Sequence, residues 1–284
     1  MKGNLKEKLM QLVFLLAACA SIAAVVLICV FLFGKGIPAI GEIGLIKFLT
    51  GTSWKPLQNI YGILPMIVGS IYVTIGAIII GVPIGILCAT YMARFSGPLI
   101  HRIMEPAVNL MAGVPSIVYG FFGLVVIVPF MQQTVGGSGK GILTASIMLG
   151  IMILPTIIGV SEAAIKAVPD SYYEGALALG ATHEVSVFTS VLPAAKSGVV
   201  AAVILGVGRA IGETLAVSMI IGNQPIMPES ITSGVRTMTT NIILEMGYAS
   251  GLHREALIAT GVVLFAFVLI INLLFSLINR RNKA

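Results

Sequence analysis

The main pattern in the chain is a series of long apolar runs, separated by short segments that hold most of the charged residues. Each run reaches about 20 residues, the length that an α-helix needs to cross the apolar core of a bilayer. The runs are apolar throughout, whereas the strands of a membrane β-barrel alternate apolar and polar residues. The pattern predicts an all-α, polytopic membrane protein of about six transmembrane helices, within Met10–Phe33, Gly62–Ala93, Pro106–Met131, Gly141–Ser161, Ser197–Gly222 and Ala256–Asn279.

Composition supports a protein surrounded by membrane lipid and argues against nucleic-acid binding. The 284 residues are 57% hydrophobic and 10% charged, whereas soluble domains carry about 25% charged residues. The net charge of +6 comes from Lys and Arg residues that are scattered between the apolar runs and cluster only at the two ends. This distribution is typical of loop charges that fix the orientation of membrane helices.

The N-terminal run resembles a signal peptide, because Lys2, Lys6 and Lys8 precede it. However, the run continues without a charge from Met10 to Phe33, and a signal core has only about 7–15 residues. We therefore expect a retained first helix. An even number of helices places both termini on one side, and the basic residues near both ends favour the cytoplasm.

The same pattern divides the chain into three expected parts. Residues 1–59 contain the first helix and an outer segment, residues 60–280 contain the main transmembrane domain, and residues 281–284 form a basic cytoplasmic tail. Trp54 and Tyr61 are aromatic residues near a predicted helix end, where such side chains often lie at the membrane interface. We expect them to form an interfacial anchor pair.

No residue pattern predicts a metal, nucleotide or other cofactor. Cys19, Cys29 and Cys88 lie inside apolar runs without metal-ligand spacing, so small apolar fillers are expected. The glycine-rich segment Gly136–Gly141 resembles a phosphate-binding loop, but it lacks the Ser or Thr that should follow Lys140. We interpret this segment as a flexible turn between two helices.

Two pairs of glycines have the spacing that allows close approach of membrane helices. The pairs are Gly81 with Gly85 and Gly208 with Gly212, each separated by three residues. Small residues at this spacing let two helix backbones approach closely. Helix packing is therefore the expected role of both pairs.

A charged pair inside the fifth predicted helix is the strongest candidate for chemistry. Arg209 is flanked by apolar runs, and a charge at membrane depth usually marks a pathway or an ion pair. Glu213 follows four residues later, so on a helix the two side chains would share one face. Two interpretations stay open: a structural ion pair, or an arginine that faces a polar path and meets an anion.

The predicted cytoplasmic loop contains signals for two short helices. Ser171 and Glu174 have capping-box spacing, and Gly180 suits a left-handed helix stop. Thr182 is positioned to cap a second helix, and Pro193 lies before the next membrane helix. Such a helix–turn–helix is either a connector or a rigid knob for a partner protein.

The loop resembles the signature of permeases of bacterial ABC importers. That signature reads Glu-Ala-Ala, three residues, Gly, nine residues, an apolar residue, any residue and Leu-Pro. The corresponding residues have the same spacing, with Gly175 in place of the first Ala and Ser190 in place of the apolar residue. The matching positions are Glu174, Gly175, Ala176, Gly180, Leu192 and Pro193.

Two further stretches resemble the phosphate-specific branch of that family. They are Gly113–Gly120 and the run from Gly208 to Thr214 with Leu215, Ala216 and Val217 after it. The likeness covers roughly residues 60–280, and it favours the PstC type of subunit over the PstA type.

The resemblance implies a type I ABC importer fold and a transport permease subunit without enzymatic activity of its own. It implies three kinds of partner: a second, PstA-like permease, two cytoplasmic ATPase subunits and a periplasmic phosphate-binding protein. It assigns Arg209, Glu213 and Thr214 to the translocation path. It also assigns Glu174, Gly175, Ala176 and Gly180, with Leu192 and Pro193, to the loop that couples to the ATPase.

Three alternatives remain at this level. An arginine suits any oxyanion, so a sulfate or molybdate permease would show the same residue. A secondary anion carrier would need no ATPase and would be expected to show internal repeats or more intramembrane carboxylates. A membrane-embedded enzyme would need a polar cluster at membrane depth, but His101, His183 and His253 all fall in predicted loops.

Overall fold

The computed structural model describes the backbone of residues 5–281 and the side chains of residues 6–274. Within this range the chain is almost entirely helical, with one small two-stranded sheet. Of the predicted basic tail at residues 281–284, all but the backbone of residue 281 lies outside the described residues. The helices are α1 (Leu5–Ile43), α2 (Leu45–Thr50), α3 (Leu64–Thr90), α4 (Pro98–Gly113), α5 (Ser116–Phe122), α6 (Val128–Thr134), α7 (Ile142–Lys166), α8 (Asp170–Ala178), α9 (His183–Ser186), α10 (Leu192–Ala194), α11 (Lys196–Gly212), α12 (Leu215–Ile220), α13 (Met238–Glu245) and α14 (Gly251–Arg281).

The described residues contain five helical segments that are long and apolar enough to cross a membrane. A sixth results if the helical segments His183–Ala194 and Lys196–Gly212, which are bent by 71° at their junction, form one span. The prediction of an all-α protein with about six transmembrane helices is confirmed. The five are Lys6–Ile43, Leu64–Phe95, Ser116–Thr134, Ile142–Lys166 and Gly251–Leu274.

Helix α7 lies at the centre of the bundle and packs along α3. A Cβ atom on Gly81 would lie 2.8 Å from the carbonyl oxygen of Gly150, and one on Gly85 would lie 2.7 Å from Ile157. The expected packing role of this glycine pair is therefore confirmed. The packing role expected of Gly208 and Gly212 is wrong within this chain, since a Cβ atom on either glycine would meet no atom within 4 Å.

The third predicted helix is broken, and its first residues, 106–113, belong to a separate helix, α4, which begins at Pro98. Helix α4 ends at Gly113, and Val114 and Pro115 are extended, with ψ angles of 126° and 140°. A proline disfavours the helical conformation in the residue before it, which explains the break at this position. A π-helical turn, Gly123–Ile127, then joins α5 to α6.

The two sides of the bundle differ in their connections. On the first, which we call the hairpin side, strands β1 (Trp54–Lys55) and β2 (Ile60–Tyr61) pair in antiparallel fashion, and residues 222–250 form a long excursion that contains α13. On the second, the loop side, a π-helical turn (Tyr91–Phe95) and the segment of residues 167–195 connect the helices. With 27 residues, α3 spans about 40 Å between the two sides.

Helix α1 stands apart from this core and packs against α14. The rings of Phe33 and Phe265 meet edge to face, with centroids 5.6 Å apart. Most other apolar side chains of α1 are more than half exposed. Such a surface matches the lipid contact that the sequence predicts for the first helix.

Candidate translocation path and coupling loop

The fifth predicted helix is broken at the charged pair. Helix α11 ends at Gly212, and Glu213 is extended, with φ −68° and ψ 132°. Helix α12 begins only at Leu215. The expectation that Arg209 and Glu213 share one face of a continuous helix is therefore wrong, because the four-residue offset no longer spans a helical turn.

The side chain of Glu213 caps α12 instead of pairing with the arginine. Its Oε1 atom accepts hydrogen bonds from the backbone N–H groups of Thr214 and Ala216, both at 3.2 Å. The first backbone N–H groups of a helix have no partner within it, so a carboxylate there is favourable. The hydroxyl of Thr214 donates to the carbonyl oxygen of Gly212 at 3.1 Å. Glu213 and Thr214 together stabilise the break.

Arg209 is left with most of its donors unused. Its Nη1 atom donates to Thr156 Oγ1 of α7 over a long 3.4 Å. Among the side chains that the structure describes, Arg209 forms no ion pair. Its side chain is half-buried, and Gly208 and Gly212 beside it leave open space. A guanidinium in this setting has the donors and the room to bind an oxyanion.

The helices that follow the breaks in the third and fifth predicted helices, α5 and α12, pack side by side. A Cβ atom on Gly120 of α5 would lie 2.8 Å from Cα of Ala216 in α12. The hydroxyl of Tyr119 donates to the carbonyl oxygen of Met111 across the first break at 2.9 Å, and Tyr119 lies within electrostatic range of Arg209. The tertiary structure thus brings together the two stretches that resemble phosphate permeases. Discontinuous helices of this kind line the substrate sites of many transporters.

The loop-side segment forms the predicted helix–turn–helix, but one of the two predicted helix caps is wrong. Helix α8 begins at Asp170 after Pro169, and no side chain caps it, so the capping box expected at Ser171 and Glu174 is wrong. Ser171 already lies inside the first turn, since the proline sets the start of the helix. The expected cap of α9 is confirmed, because Thr182 Oγ1 accepts from the N–H of Val185.

Gly180 ends α8 in the left-handed conformation that the sequence predicts. Its φ is +88°, and its N–H donates to the carbonyl oxygen of Leu177 at 2.9 Å. Glu174 and Gly175 are exposed, and Leu179 is 91% exposed beside Gly180. The tip of the loop therefore offers a small-residue surface with one prominent apolar side chain. Leu192 and Pro193 lie in α10, at the base of the loop.

Arg94 holds this loop against the membrane helices, a role that its sequence position did not reveal. The guanidinium bonds Asp170 Oδ1 at 3.0 Å and the carbonyl oxygens of Ile165 and Val168 at 3.3 and 3.2 Å. Its neighbour Phe95 meets the ring of His183 edge to face, with centroids 4.6 Å apart. The end of α3 thus contacts both short helices of the loop.

We expect Arg94→Gln to loosen the attachment of α8 to the bundle. The substitution removes the charge that pairs with Asp170 and at least one bond to a carbonyl oxygen, at a cost of about 2 kcal/mol for charge-assisted bonds. Amide hydrogen exchange of residues 170–180 should become faster, while exchange in α14 should stay unchanged. Arg102→Gln, on the neighbouring helix α4, is the control. Unchanged exchange in the loop of the Arg94 variant would contradict this role.

A buried ionic cluster lies on the hairpin side, in a region to which the sequence assigned no role. Glu245 accepts hydrogen bonds from Trp54 Nε1 and His253 Nε2, both at 2.8 Å, and forms an ion pair with Arg236. Trp54 is 6% and Tyr61 3% exposed. The expectation that these two aromatic residues anchor at the membrane interface is therefore wrong, since Glu245 draws the indole N–H of Trp54 inward.

The cluster also fixes the ionisation of its carboxylate. Burial acts to raise the pKa of Glu245, but the hydrogen bonds from Trp54, His253 and Arg236 outweigh burial and hold the pKa below its ordinary value of 4.5. A carboxylate with a lowered pKa stabilises the fold above its unfolded-state pKa, and this contribution is lost as the pH falls through the lowered value.

We accordingly expect a specific pH dependence of stability. Between pH 7 and pH 5 the carboxylate of Glu245 should contribute fully. Its contribution should begin to decline below the ordinary pKa of 4.5 and be lost as the pH falls through the lowered value. Glu245→Gln should lower the Tm of the purified protein at pH 7 by several degrees, because removing one partner of a buried pair costs about 3 kcal/mol. The difference from the wild type should shrink at pH 3. A constant difference from pH 7 to pH 3 would contradict the prediction.

Other polar clusters give no sign of a metal centre. On the loop side, Glu162 Oε1 meets His101 Nε2 and Lys166 Nζ, both at 2.7 Å. His101 and His253 lie in α4 and α14, not in the loops where the sequence placed them. Among the described residues, no group of three or more His, Cys, Asp or Glu side chains is arranged to hold a metal ion.

The fold and the broken-helix site define a class of protein, the membrane-spanning permeases of importers. Residues 81–284 match the family described as binding-protein-dependent transport system inner membrane component, and the chain belongs to this family. It is therefore a multi-pass membrane protein and a transport permease subunit, not an enzyme. The resemblance to ABC importer permeases is confirmed.

Individual relatives show which members of the family the chain resembles. The chain is 39% identical over 278 residues to the probable ABC transporter permease protein YqgH of Bacillus subtilis (strain 168), covering 95% of this chain and 90% of that protein. It is 34% identical over 245 residues to the phosphate transport system permease protein PstC of Pasteurella multocida (strain Pm70), covering 79% and 77%. The resemblance to PstC-type permeases is confirmed.

A solved structure supports the fold alone. In the crystal structure of a bacterial alginate ABC transporter, in complex with its alginate pentasaccharide-bound periplasmic protein, one chain matches with a TM-score of 0.62 at 15% identity. The match covers 96% of each chain. At this identity the similarity says nothing about the substrate.

Proposed function

We propose that this chain is a permease subunit of an ATP-driven phosphate importer and that Arg209 binds the anion during translocation. The observation that carries the proposal is the guanidinium of Arg209, which lies at the break between α11 and α12 without an ion-pair partner among the described residues. A planar guanidinium matches the oxygens of phosphate and stays charged at every relevant pH. Glu213, four residues further along the chain and beyond the helix break, would add a negative charge to the path and weaken anion binding, so that release remains possible.

Phosphate is favoured over other oxyanions by relatives rather than by the geometry of the site. Several relatives are PstC proteins of phosphate transport systems, including those of Pasteurella multocida and Mesorhizobium japonicum, each 34% identical over most of the chain. An unpaired arginine would also suit sulfate or molybdate. A permease for either of those anions is therefore the second candidate, and a direct comparison of the three anions decides between them.

The proposed assembly has three kinds of partner. A second, PstA-like permease completes the path, two ATPase subunits bind the loop side, and a periplasmic phosphate-binding protein delivers the anion to the hairpin side. The loop side and both termini then face the cytoplasm. Residues 60–280 form the permease domain proper, while residues 1–59 add a peripheral helix and part of the hairpin side.

The mechanism that fits these parts is alternating access. Closure of the ATPase pair on ATP would push on α8, which contains Glu174, Gly175 and Ala176, and on Gly180 just after it. Arg94 connects α8 to the end of α3, and α3 packs along α7. The movement of the loop would reach α7, whose Thr156 contacts Arg209.

The decisive experiment measures ATP hydrolysis and anion uptake in proteoliposomes that contain this chain, its candidate partner permease and the ATPase subunits. Phosphate with its binding protein should stimulate hydrolysis, while sulfate and molybdate with the same protein should not. If only another oxyanion stimulates hydrolysis, that anion and not phosphate is the substrate. Anion flux without any dependence on ATP would favour a secondary carrier.

A further inference from the structure

Helix α13 is tied to the core of the bundle at its first turn. Thr237 and Thr240 form a capping box, in which each side chain accepts from the backbone N–H of the other. The N–H of Met238 donates to Ser70 Oγ of α3 at 3.0 Å. All of these residues are buried, which is unusual for a polar turn outside the spanning helices. The first turn of α13 therefore has a fixed position relative to α3.

The same turn contacts the break in the translocation path. Thr239 is 8% exposed, and its hydroxyl donates to the backbone carbonyl oxygen of Glu213 at 3.1 Å. Because Glu213 is extended, its carbonyl has no place in a helical hydrogen-bond ladder and needs another partner. Thr239 supplies that partner from a helix more than 20 residues further along the chain.

The opposite end of α13 is held by the ionic cluster. Glu245 is the last residue of the helix, and it is bonded to Trp54 of the hairpin and to His253 of α14. Arg236, just before the helix, bonds Glu245, the side chain of Asn241 and the carbonyl oxygen of Asn223. Helix α13 is thus a short strut, fixed to the hairpin at one end and to the Glu213 break at the other.

We propose that α13 forms the hairpin-side wall of the anion path, with Thr239 as a positioning residue for the Glu213 break and the bond between Trp54 and Glu245 holding the helix in place. This inference rests on the proposed function, because it assigns residues to the path that contains Arg209. A displacement of the hairpin would move Glu245, and α13 would transmit that movement to the backbone beside Arg209. The hairpin side is also where the proposed binding protein delivers phosphate.

Two substitutions at Thr239 separate positioning from packing. Thr239→Val keeps the shape and removes the hydroxyl, whereas Thr239→Ser keeps the hydroxyl and removes the methyl group. In proteoliposomes with the complete set of subunits, we expect Thr239→Val to lower the phosphate transported per ATP hydrolysed about fivefold. The substitution removes the bond to the Glu213 carbonyl and also the contact with the Thr237 hydroxyl. Thr239→Ser should stay near the wild type.

The matched control is Thr260→Val. The hydroxyl of Thr260 is equally buried, but it donates to the carbonyl oxygen of Ala256 within α14. A packing role at position 239 would produce the reverse pattern, with Ser harmful and Val harmless. That pattern, or equal losses in Thr239→Val and Thr260→Val, would overturn the proposal.

The other end of the strut is tested with Trp54→Phe, which keeps an aromatic ring and removes the N–H group that Glu245 accepts. Tyr61→Phe is the control, since the hydroxyl of Tyr61 bonds only Asn59 within the hairpin among the described contacts. We expect Trp54→Phe to lower the phosphate transported per ATP and Tyr61→Phe to leave it unchanged. Equal behaviour of the two variants would overturn the role of Trp54.

The wild-type complex distinguishes a failure of this inference from a failure of the proposed function. Suppose that phosphate stimulates the wild-type complex while the Thr239 and Trp54 variants transport as much phosphate per ATP as the wild type. In that case the proposal of a phosphate importer holds and the proposed role of α13 is wrong. If the wild type responds to another oxyanion, the same ratio of anion to ATP tests the strut with that anion. If the wild type shows no ATP-dependent transport, both proposals fall.

Discussion

Phosphate uptake should be abolished by Arg209→Gln while the protein still inserts into the membrane and assembles with its partners. Loss of a charged donor from an anion contact costs at least about 2 kcal/mol, which corresponds to a loss of at least roughly 30-fold. The structure adds a reason to expect little damage to the fold. Arg209 gives up only one long hydrogen bond to Thr156 and no ion pair among the described residues. The measurement is uptake of labelled phosphate into proteoliposomes, normalised to the amount of assembled complex.

Two further variants sharpen this result. Arg209→Lys keeps the charge but loses the planar fork that matches two phosphate oxygens, so uptake should remain strongly reduced. Arg254→Gln removes an exposed arginine on α14 and should leave uptake unchanged. Normal uptake by Arg209→Gln would remove Arg209 from the path. A loss of assembly in that variant would instead support a structural role.

The second large effect is expected at Gly180. Its φ of +88° is a conformation that a β-branched residue almost never adopts. Gly180→Val should therefore cost at least about 1–2 kcal/mol locally and displace the end of α8. A Cβ atom at this position would meet nothing within 4 Å, so the effect arises from the backbone and not from a clash within the chain. We expect the ATPase subunits to detach, or to hydrolyse ATP without transport.

Gly175→Ala provides the matched control in the same loop. Gly175 lies inside α8, and a Cβ atom there also meets open space. Alanine favours a helix over glycine by roughly 0.5–1 kcal/mol, and the loop signature of the family has alanine there. Co-purification of the ATPase subunits should be normal with Gly175→Ala and reduced with Gly180→Val. Full binding and coupled transport in the Gly180 variant would show that the left-handed turn is not needed for docking.

The loop shows how far local sequence signals reach. The left-handed turn at Gly180 and the cap at Thr182 were predicted correctly, because both depend on the backbone within a few residues. The capping box at Ser171 and Glu174 failed for a local reason as well, since the N-cap is Pro169, two residues before Ser171. The role of Arg94 could not be predicted, because its partner Asp170 lies 76 residues away.

The charged pair shows the limit of periodicity as a guide to side-chain contacts. The sequence identified Arg209 and Glu213 as the residues of interest, since charges are rare at membrane depth. It could not show that the helix stops at Gly212, because distant contacts add to the local hydrogen bonds of Glu213 and Thr214 at the break. Thr239 bonds the carbonyl of Glu213, and Ala216 of α12 packs against Gly120 of α5. Once the helix is broken, the spacing of four residues no longer predicts a pair.

The sequence by itself determined the membrane class, the approximate spans, the short helices of the loop and the family resemblance. Each follows from apolar run length or from motifs that are read along the chain. Tertiary structure alone decided that Arg209 forms no ion pair among the described side chains and that α5 packs beside α12. It also decided that Trp54 turns inward to Glu245 across 191 residues. The physical reason is that a buried polar group takes whichever partner the fold brings near it, and sequence spacing does not encode that distance.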